Sequence, residues 1–505
     1  MVARTQRHGA LGVIVLREAP VDQLPSELVG CRARLGRPDP ERVFDRHLRA
    51  VLPGHAVPGP LYPALTEHLD TAPMRDVEQL ARFVAEESAG AGGFPQWCER
   101  ALSALDGDST GAVVRELRDQ LCGQQRPLAL AVAMFEHSPS AVVYEAERTL
   151  VSTVELTVDG EHALVSPDFG ARLDGIGAQE LDGAVTFQDR TRGRKIRAYF
   201  WTHFPGLRAG FQRWIVEHPD LLDRPGLDPG VFAERFATEV LRTRGPDALA
   251  EVVERWAATA RGPLELAVLT LTHGLNHPEH SPVLRRRCWT WARDPGCPAA
   301  LATMLVAICT EVIAPDRLDQ AVVRLHHLAR HPLEAVSAAA QRGLRRLLTE
   351  RSSAPRMLLG RLVGSPRPGH RPRIERDQDR LLFLTCVRPE IIRPHLARAA
   401  TSDLLTTCWT AVLRDADRAV LDEPLRYWLD DQARSDADDT TATELLVTAA
   451  VRSGRPEVLL GITYDWVAGP AEREAAVRRR SVARELTDLL SAARRRTTLH
   501  RGAHP

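Results

Sequence analysis

The sequence predicts a mainly α protein, with small β elements near the N-terminus and around 151–189 and a C-terminal HEAT-like α-solenoid. Three observations carry that prediction. From about residue 194 onward, apolar side chains recur at helical spacing in short segments broken by Pro and Gly. Period-two alternation is confined to a few short runs. The chain has 505 residues, 44% of them apolar and 26% charged, a folded composition too long for one core.

The elements follow in order. "LGVIVLRE" (11–18) reads as a buried strand and "CRARLG" (31–36) as a second. In "DPERVFDRHLRAVL", Val43, Leu48, Val51 and Leu52 fall near one helical face, with Pro40 in the first turn. "DVEQLARFVAEE" (76–87) and "FPQWCERALSAL" (94–105) add helices. "GAVVRELRDQLC", "PLALAVAMFEH" and "SAVVYEAERTL" are three further helical stretches. They precede "VSTVELTVDGEHALVSPDF", in which Asp159-Gly160 signals a hairpin, and "GAVTFQD" (183–189), one more strand candidate. Three helices followed by a hairpin is the chain order of a winged-helix unit.

Beyond it the pattern is helix, short turn, helix. "GPDALAEVVERWAATAR" aligns Leu249, Val252, Val253, Trp256 and Ala260. "LARHPLEAVSAAAQRGLRRLL" breaks at His331-Pro332 and turns Val336, Ala340, Leu344 and Leu347 inward. "TATELLVTAAVRSG" opens with Thr441 three residues before Glu444, a capping-box arrangement, and closes at Gly454. Such helices bury one face only by stacking on neighbours. The expected organisation is 1–107, strands plus a lid-like bundle; 108–220, a winged-helix-like unit with an aromatic helix pair; and 221–363, a helical array. A Pro-rich linker, 364–380, precedes a second array, 381–505, with a basic C-terminal helix.

This order of a strand, a helical lid ("DPERVFDRHL" through "RALSAL"), a winged-helix-like unit and a helical arm resembles the C-terminal part of STAND-class signal-transduction NTPases. The resemblance covers most of the chain and implies a regulatory protein whose arm senses a partner. The chain departs from that family at the nucleotide. A P-loop needs G-x-x-x-x-G-K-[ST], whose lysine meets the β/γ-phosphates. Lys195 is the only lysine here, and it lies in "RGRKIRA", followed by Ile196. No nucleotide hydrolysis is expected, and no cofactor is implied.

The stretch "RTRGRKIRAYFWTHFPGLRAGFQRW" (190–214) raises the main question of binding. Arg190, Arg192, Arg194, Lys195 and Arg197 cluster without an acid, a possible polyanion contact. The aromatics at 200, 201, 204, 211 and 214 are spaced for two helices, 194–203 and 206–217, bent at "FPG" around a shared core. On that reading the cations line the exposed start of the first helix.

Other clusters have plainer explanations. His273 and His277 stand four apart, as do His327 and His331, a spacing that can hold a metal on one helix. Pro278, Pro282 and Pro332 instead mark helix ends. Asp430, Asp431, Asp436, Asp438 and Asp439 form an acidic run without the glycine and terminal glutamate of an EF-hand, expected as a solvated linker. "DGIGAQE" reads as a turn. No metal site and no catalytic residue is assigned.

Basic and acidic residues balance at 66 each, so no net field draws the molecule to nucleic acid or membrane. The eight cysteines are scattered without a C-x-x-C pair, and no run approaches the ~20 apolar residues of a membrane span. A cytoplasmic regulatory or scaffold protein that binds a protein partner is expected. A nucleic-acid regulator using the Arg190–Arg197 cluster is the alternative, and an enzyme with a dispersed site a minor one.

Overall fold

The computed structural model describes residues 38–54, 63–71, 74–90, 92–105, 117–119, 121, 123–155, 167–189, 192–259, 263–364, 374, 376–435 and 439–501. The expected strands at 11–18 and 31–36, and the Asp159-Gly160 turn, lie outside them. The described residues are mainly α-helical, with one two-stranded sheet among them. The chain divides into two compact units, residues 1–120 and 121–505.

In the first unit Asp39 caps helix α1 (Pro40–Val51) by accepting from the backbone N–H groups of Glu41 and Arg42. The buried face of α1 is Phe44 and Leu48, while Val51 is 46% exposed, so the expected stripe is rotated toward the bulkier ring. α2 (Pro63–Thr71), α3 (Met74–Glu87) and α4 (Phe94–Leu105) complete the bundle. Leu65, Leu69, Leu80, Val84 and Cys98 close its core. The 2.6 Å pair between Arg100 and Glu87 joins α3 to α4.

The second unit begins with α5 (Gln125–Phe135), whose residues from Pro127 onward are all buried. A helix apolar on every side must be wrapped, and α6 (Ser140–Thr153), α8 (Arg192–His203) and α10 (Pro229–Arg244) pack against it. Val151, Ser152 and Thr153, expected as strand, are the last turn of α6. The packing of Val142, Val143, Ala146 and Leu150 outweighs their β propensity.

After the short α7 (Phe169–Asp174), β1 (Ala178–Leu181) pairs antiparallel with β2 (Ala184–Phe187). The turn between them is Asp182-Gly183, both at positive φ (52° and 80°), the geometry of a two-residue hairpin. β2 also exchanges hydrogen bonds with residues 137 and 138, so the hairpin is stitched to the end of α5.

α9 (Arg208–Glu217) follows a 3₁₀ turn at Pro205–Leu207, as the "FPG" bend predicts. A chain of rings links this bundle to the helices beyond. Phe135 lies 5.8 Å from Trp214 and 5.0 Å from Phe232, Trp201 lies 6.3 Å from Phe236, and Phe236 lies 5.8 Å from Trp256. The expected boundary at 220 therefore separates no independent core.

The array continues through α11 (Pro246–Ala258), α12 (Leu264–Asn276), α13 (Ser281–Arg293) and α14 (Ala299–Ala307). α14 runs into a π-helical turn, Ile308–Ile313. Next come α15 (Leu318–Leu328), α16 (Glu334–Glu350), α17 (Ala354–Val363), α18 (Asp377–Cys386) and the short α19 (Pro389–Ile392). α20 (Ala399–Asp415), α21 (Arg418–Arg434), α22 (Thr441–Ser453), α23 (Pro456–Ala468) and α24 (Arg473–Arg501) end it.

Most of these helices pack on the next helix, the next but one, or both. α10 meets α11 and α12, α15 meets α16 and α17, and α21 meets α23 and α24. Gly274 marks one close approach: a Cβ there would stand 2.8 Å from Leu249 Cδ2 of α11 and closer still to Leu284 of α13. The array also bridges the expected linker 364–380, since α17 packs on α20 and α16 on α18. Residues 377–380 of that linker are the first turn of α18.

Candidate functional site

The basic stretch is largely committed inward. Arg190 lies outside the described residues. Arg192 donates through Nε to Ile176 O (3.0 Å), and Lys195 stands 3.4 Å from Asp189. Arg197, expected at an exposed helix start, instead points into the fold and donates to Ala133 O (2.6 Å). Burial pushes this guanidinium down to about 10, with the charge of Arg235 adding to the effect.

Arg235 donates to Met134 O (3.2 Å) and Glu136 O (3.0 Å) and sits 3.6 Å from the buried Glu136 carboxylate. Two arginines thus cap the carbonyl end of α5, where the helix dipole is negative. Arg194 is half-buried and also has a partner. Phe200, Trp201, Phe211 and Trp214 are buried, as their spacing predicts, while Phe204 is half-buried.

The histidines divide by location. His277 and His280 follow the end of α12 and stack 4.5 Å apart, and His277 Nδ1 accepts from the N–H groups of Glu279 and His280. His273 contacts Thr238 Oγ1 at 3.3 Å, and Cys288 is buried inside α13. No group of three or more metal-ligating side chains occurs among the described residues.

A cleft of about 700 Å³ opens here, lined by Asn276, His277, Ser281, Arg285, Ile313 and Arg317. Its floor is the π-helical turn, a widened backbone often found where a helix carries function. Beneath it Arg324, 4% exposed, donates to Arg285 O (2.6 Å) and Gln320 O (2.8 Å).

A second constellation has no short-range pattern to announce it. His326 of α15 and Asp379 of α18 are both fully buried, with Nε2 and Oδ1 2.9 Å apart. Arg361 of α17 donates Nε–H to His326 Nδ1 (3.0 Å) and stands 2.8 Å from His327 Nε2. With Nδ1 accepting, the His326 proton is on Nε2 and is donated to Asp379. Burial lowers the His326 pKa against the raising effect of Asp379. Burial pushes the Asp379 carboxyl up, but the hydrogen bond from His326 and the charges of Arg330 and Arg376 hold it below the ordinary range.

Asp379 falls inside the expected linker, yet it is the buried anchor of three helices. His331 does not join His327: its Nδ1 accepts from Leu333 N–H (3.2 Å), and its Nε2 lies 3.2 Å from Cys297 O. The acidic run is likewise no solvated linker where it is described. Asp431 (2.7 Å) and Asp439 (2.6 Å) both pair with Arg393, and Asp430 accepts from Trp466 Nε1 (2.8 Å). Asp436 and Asp438 lie outside the described residues.

No hydrolytic arrangement is assembled by these groups. Both His326 nitrogens are occupied and shut from solvent, which makes the pair a structural brace. The accessible features are the cleft beside the π-helical turn, where Asp316 lines the wall with Arg285 and Arg317, and the half-buried His327. Comparison of the chain with models of protein families, with curated proteins and with solved structures finds no match.

Proposed function

We propose that the chain is a non-catalytic helical-repeat scaffold or regulatory arm, a HEAT-like solenoid that holds a protein partner. The observation that carries this reading is the packing of α10 to α24, in which helices stack on near neighbours in the sequence. That arrangement presents long, ridged surfaces rather than one enclosed site. Large apolar side chains remain uncovered along it, among them Tyr464 at 76% exposure, Val477 at 57% and Leu381 at 56%.

The six free cysteines of the described residues are all buried, which supports a reducing, cytoplasmic setting. No helix of the described residues is long and apolar enough to cross a membrane. The resemblance to the arm of STAND-class NTPases fits the same role, with the winged-helix-like segment as a hinge.

A photo-crosslinking side chain at Tyr464 tests the reading in the native host. The expected result is one discrete protein adduct, competed by excess unmodified chain and lost when Leu381 and Arg317 are changed to glutamate. Purified chain should show no ATP turnover. Either measurable turnover or the absence of any competable adduct at Tyr464, Leu381 and Arg317 would overturn it. Binding to oligonucleotides that falls steeply with salt and requires Arg192, Arg194 and Lys195 would point to a nucleic-acid regulator instead.

A further inference from the structure

The cleft beside the π-helical turn gathers charges of both signs that do not neutralise one another. Arg285 of α13 lines it, together with Asp316 and Arg317 from the segment between the turn and α15. Among the described residues none of the three forms an ion pair. Asp316 and Arg317 are exposed, and the half-buried Arg285 donates from Nη1 to Ser281 Oγ. Leu275, Val312 and Ile313 supply an apolar part of the lining.

The backbone and the layer beneath hold this lining in place. The turn closes through an i→i+5 hydrogen bond, Ala314 N–H to Cys309 O (3.0 Å). One extra residue is thereby inserted into the helix ahead of Asp316 and Arg317. Arg324, 4% exposed, ties α15 to α13 through its bond to Arg285 O. Its Nε–H has no partner among the described residues, and no carboxylate there pairs with it. Asp319 acts on it only at longer range. The cations of the cleft are thus Arg317 and an Arg285 backed by a buried guanidinium, and the anion is Asp316. In a concave site, partly shielded from water, each charge acts more strongly on a ligand than on an open surface.

We propose that this cleft binds a small zwitterion, an amino acid or a short peptide, with its carboxylate on Arg285 and Arg317 and its ammonium on Asp316. Guanidinium forks match the two oxygens of a carboxylate. A simple anion would leave Asp316 facing a like charge, and a simple cation would face two guanidiniums. Only a ligand that carries both charges answers the whole lining. The cleft's volume of about 700 Å³ lies within the range of small-molecule sites and leaves room for an aliphatic side chain against Val312 and Ile313. The site holds whether or not a protein partner binds along the array.

The test is calorimetry on the full chain with each of the common L-amino acids and with leucyl-leucine. The tightest binder is then compared with its amide, which lacks the carboxylate, and its N-acetyl form, which lacks the ammonium. At least one probe should bind, and each blocked form should bind more weakly on the order of tenfold or more. Asp316→Ala and Arg317→Ala should each weaken the free ligand by a similar factor. Both side chains are exposed, so these variants should fold. A merely structural role would weaken all three forms alike. Asp316→Ala should instead abolish the preference for the free ligand over its N-acetyl form, and Arg317→Ala should reduce the preference over the amide. Tightest binding of leucyl-leucine identifies peptides as the source, and tightest binding of an amino acid identifies the free molecule. The proposal is overturned if no probe binds or if either blocked form binds as well as the free ligand. It is equally overturned if Asp316→Ala leaves the preference for the free amine intact.

Discussion

Asp379→Ala should unfold the array well before any surface change does. The carboxylate accepts the His326 Nε2 proton at 2.9 Å, and both side chains are fully buried. Removing the carboxylate leaves the neutral imidazole a buried donor with no acceptor, a loss of about 1–3 kcal/mol. Arg330 also loses the carboxylate that stands 3.6 Å away. The assay is urea unfolding followed by tryptophan fluorescence, because Trp409 lies 5.3 Å from Phe383 on α18 itself. A cycle with His326→Leu and Asp379→Leu isolates the pair. The double variant still strands the Arg361 Nε–H, so it does not return to wild-type stability. It should nevertheless fall short of the summed single losses by about 1–3 kcal/mol. Single losses below about 1 kcal/mol, or effects that simply add, would refute the brace that the geometry describes.

Gly274→Val should lower stability by about 1–3 kcal/mol or more, because its Cβ would collide with Leu249 and Leu284; thermal unfolding checks it. Arg208→Lys should cost about 1–2 kcal/mol in urea midpoint. Nε, Nη1 and Nη2 of Arg208 reach Trp201 O, Thr243 O and Thr202 O, three directions that an ammonium cannot span. Acid should destabilise the second unit from about pH 6.5 downward. His326 and His327 are depressed in the fold, so the unfolded chain takes up protons first and stability falls with pH, for His327 until about 3. Urea midpoints at pH 7.5 and 5 read this directly, and equal midpoints would contradict it. Thiol alkylation with peptide mapping should leave Cys98, Cys288 and Cys386 unmodified in the folded protein. Burial pushes each of them up to about 12, so little thiolate exists to react.

The helices were legible because their signals are local. Leu249, Val252, Val253 and Trp256 keep a helical stripe, and all four are buried as that stripe demands. The bend at "FPG" was readable for the same reason, since proline and glycine act on their own backbone. The β element was legible only in part. "GAVTFQD" contains β2, but its partner came from "DGIGAQE", whose glycines end a turn just before Ala178. Of the chain's four Asp-Gly pairs, the one described as a hairpin turn is Asp182-Gly183, and single-sequence alternation does not rank them. Pairings across the fold left no trace in spacing. His326 meets Asp379 across 53 residues, and Arg393 meets Asp439 across 46. A run of aspartates reads as solvent-facing until the arginine that neutralises it is brought alongside.

The arginine runs misled for a related reason. A chain with a single lysine uses arginine wherever a cation is placed, including sites where only a guanidinium works. Here arginines repeatedly reach the carbonyl end of a helix other than their own. Arg197 and Arg235 close α5, Arg213 reaches Thr153 O at the end of α6, and Arg479 reaches Trp466 O near the end of α23. Each helix end carries unsatisfied carbonyls and partial negative charge, so each contact removes an orphan acceptor and an unbalanced dipole together. In a stacked array every helix end lies beside a neighbour, so a long forked cation on that neighbour is the natural cap. Basic density along such a sequence therefore tracks the number of helix ends to be closed.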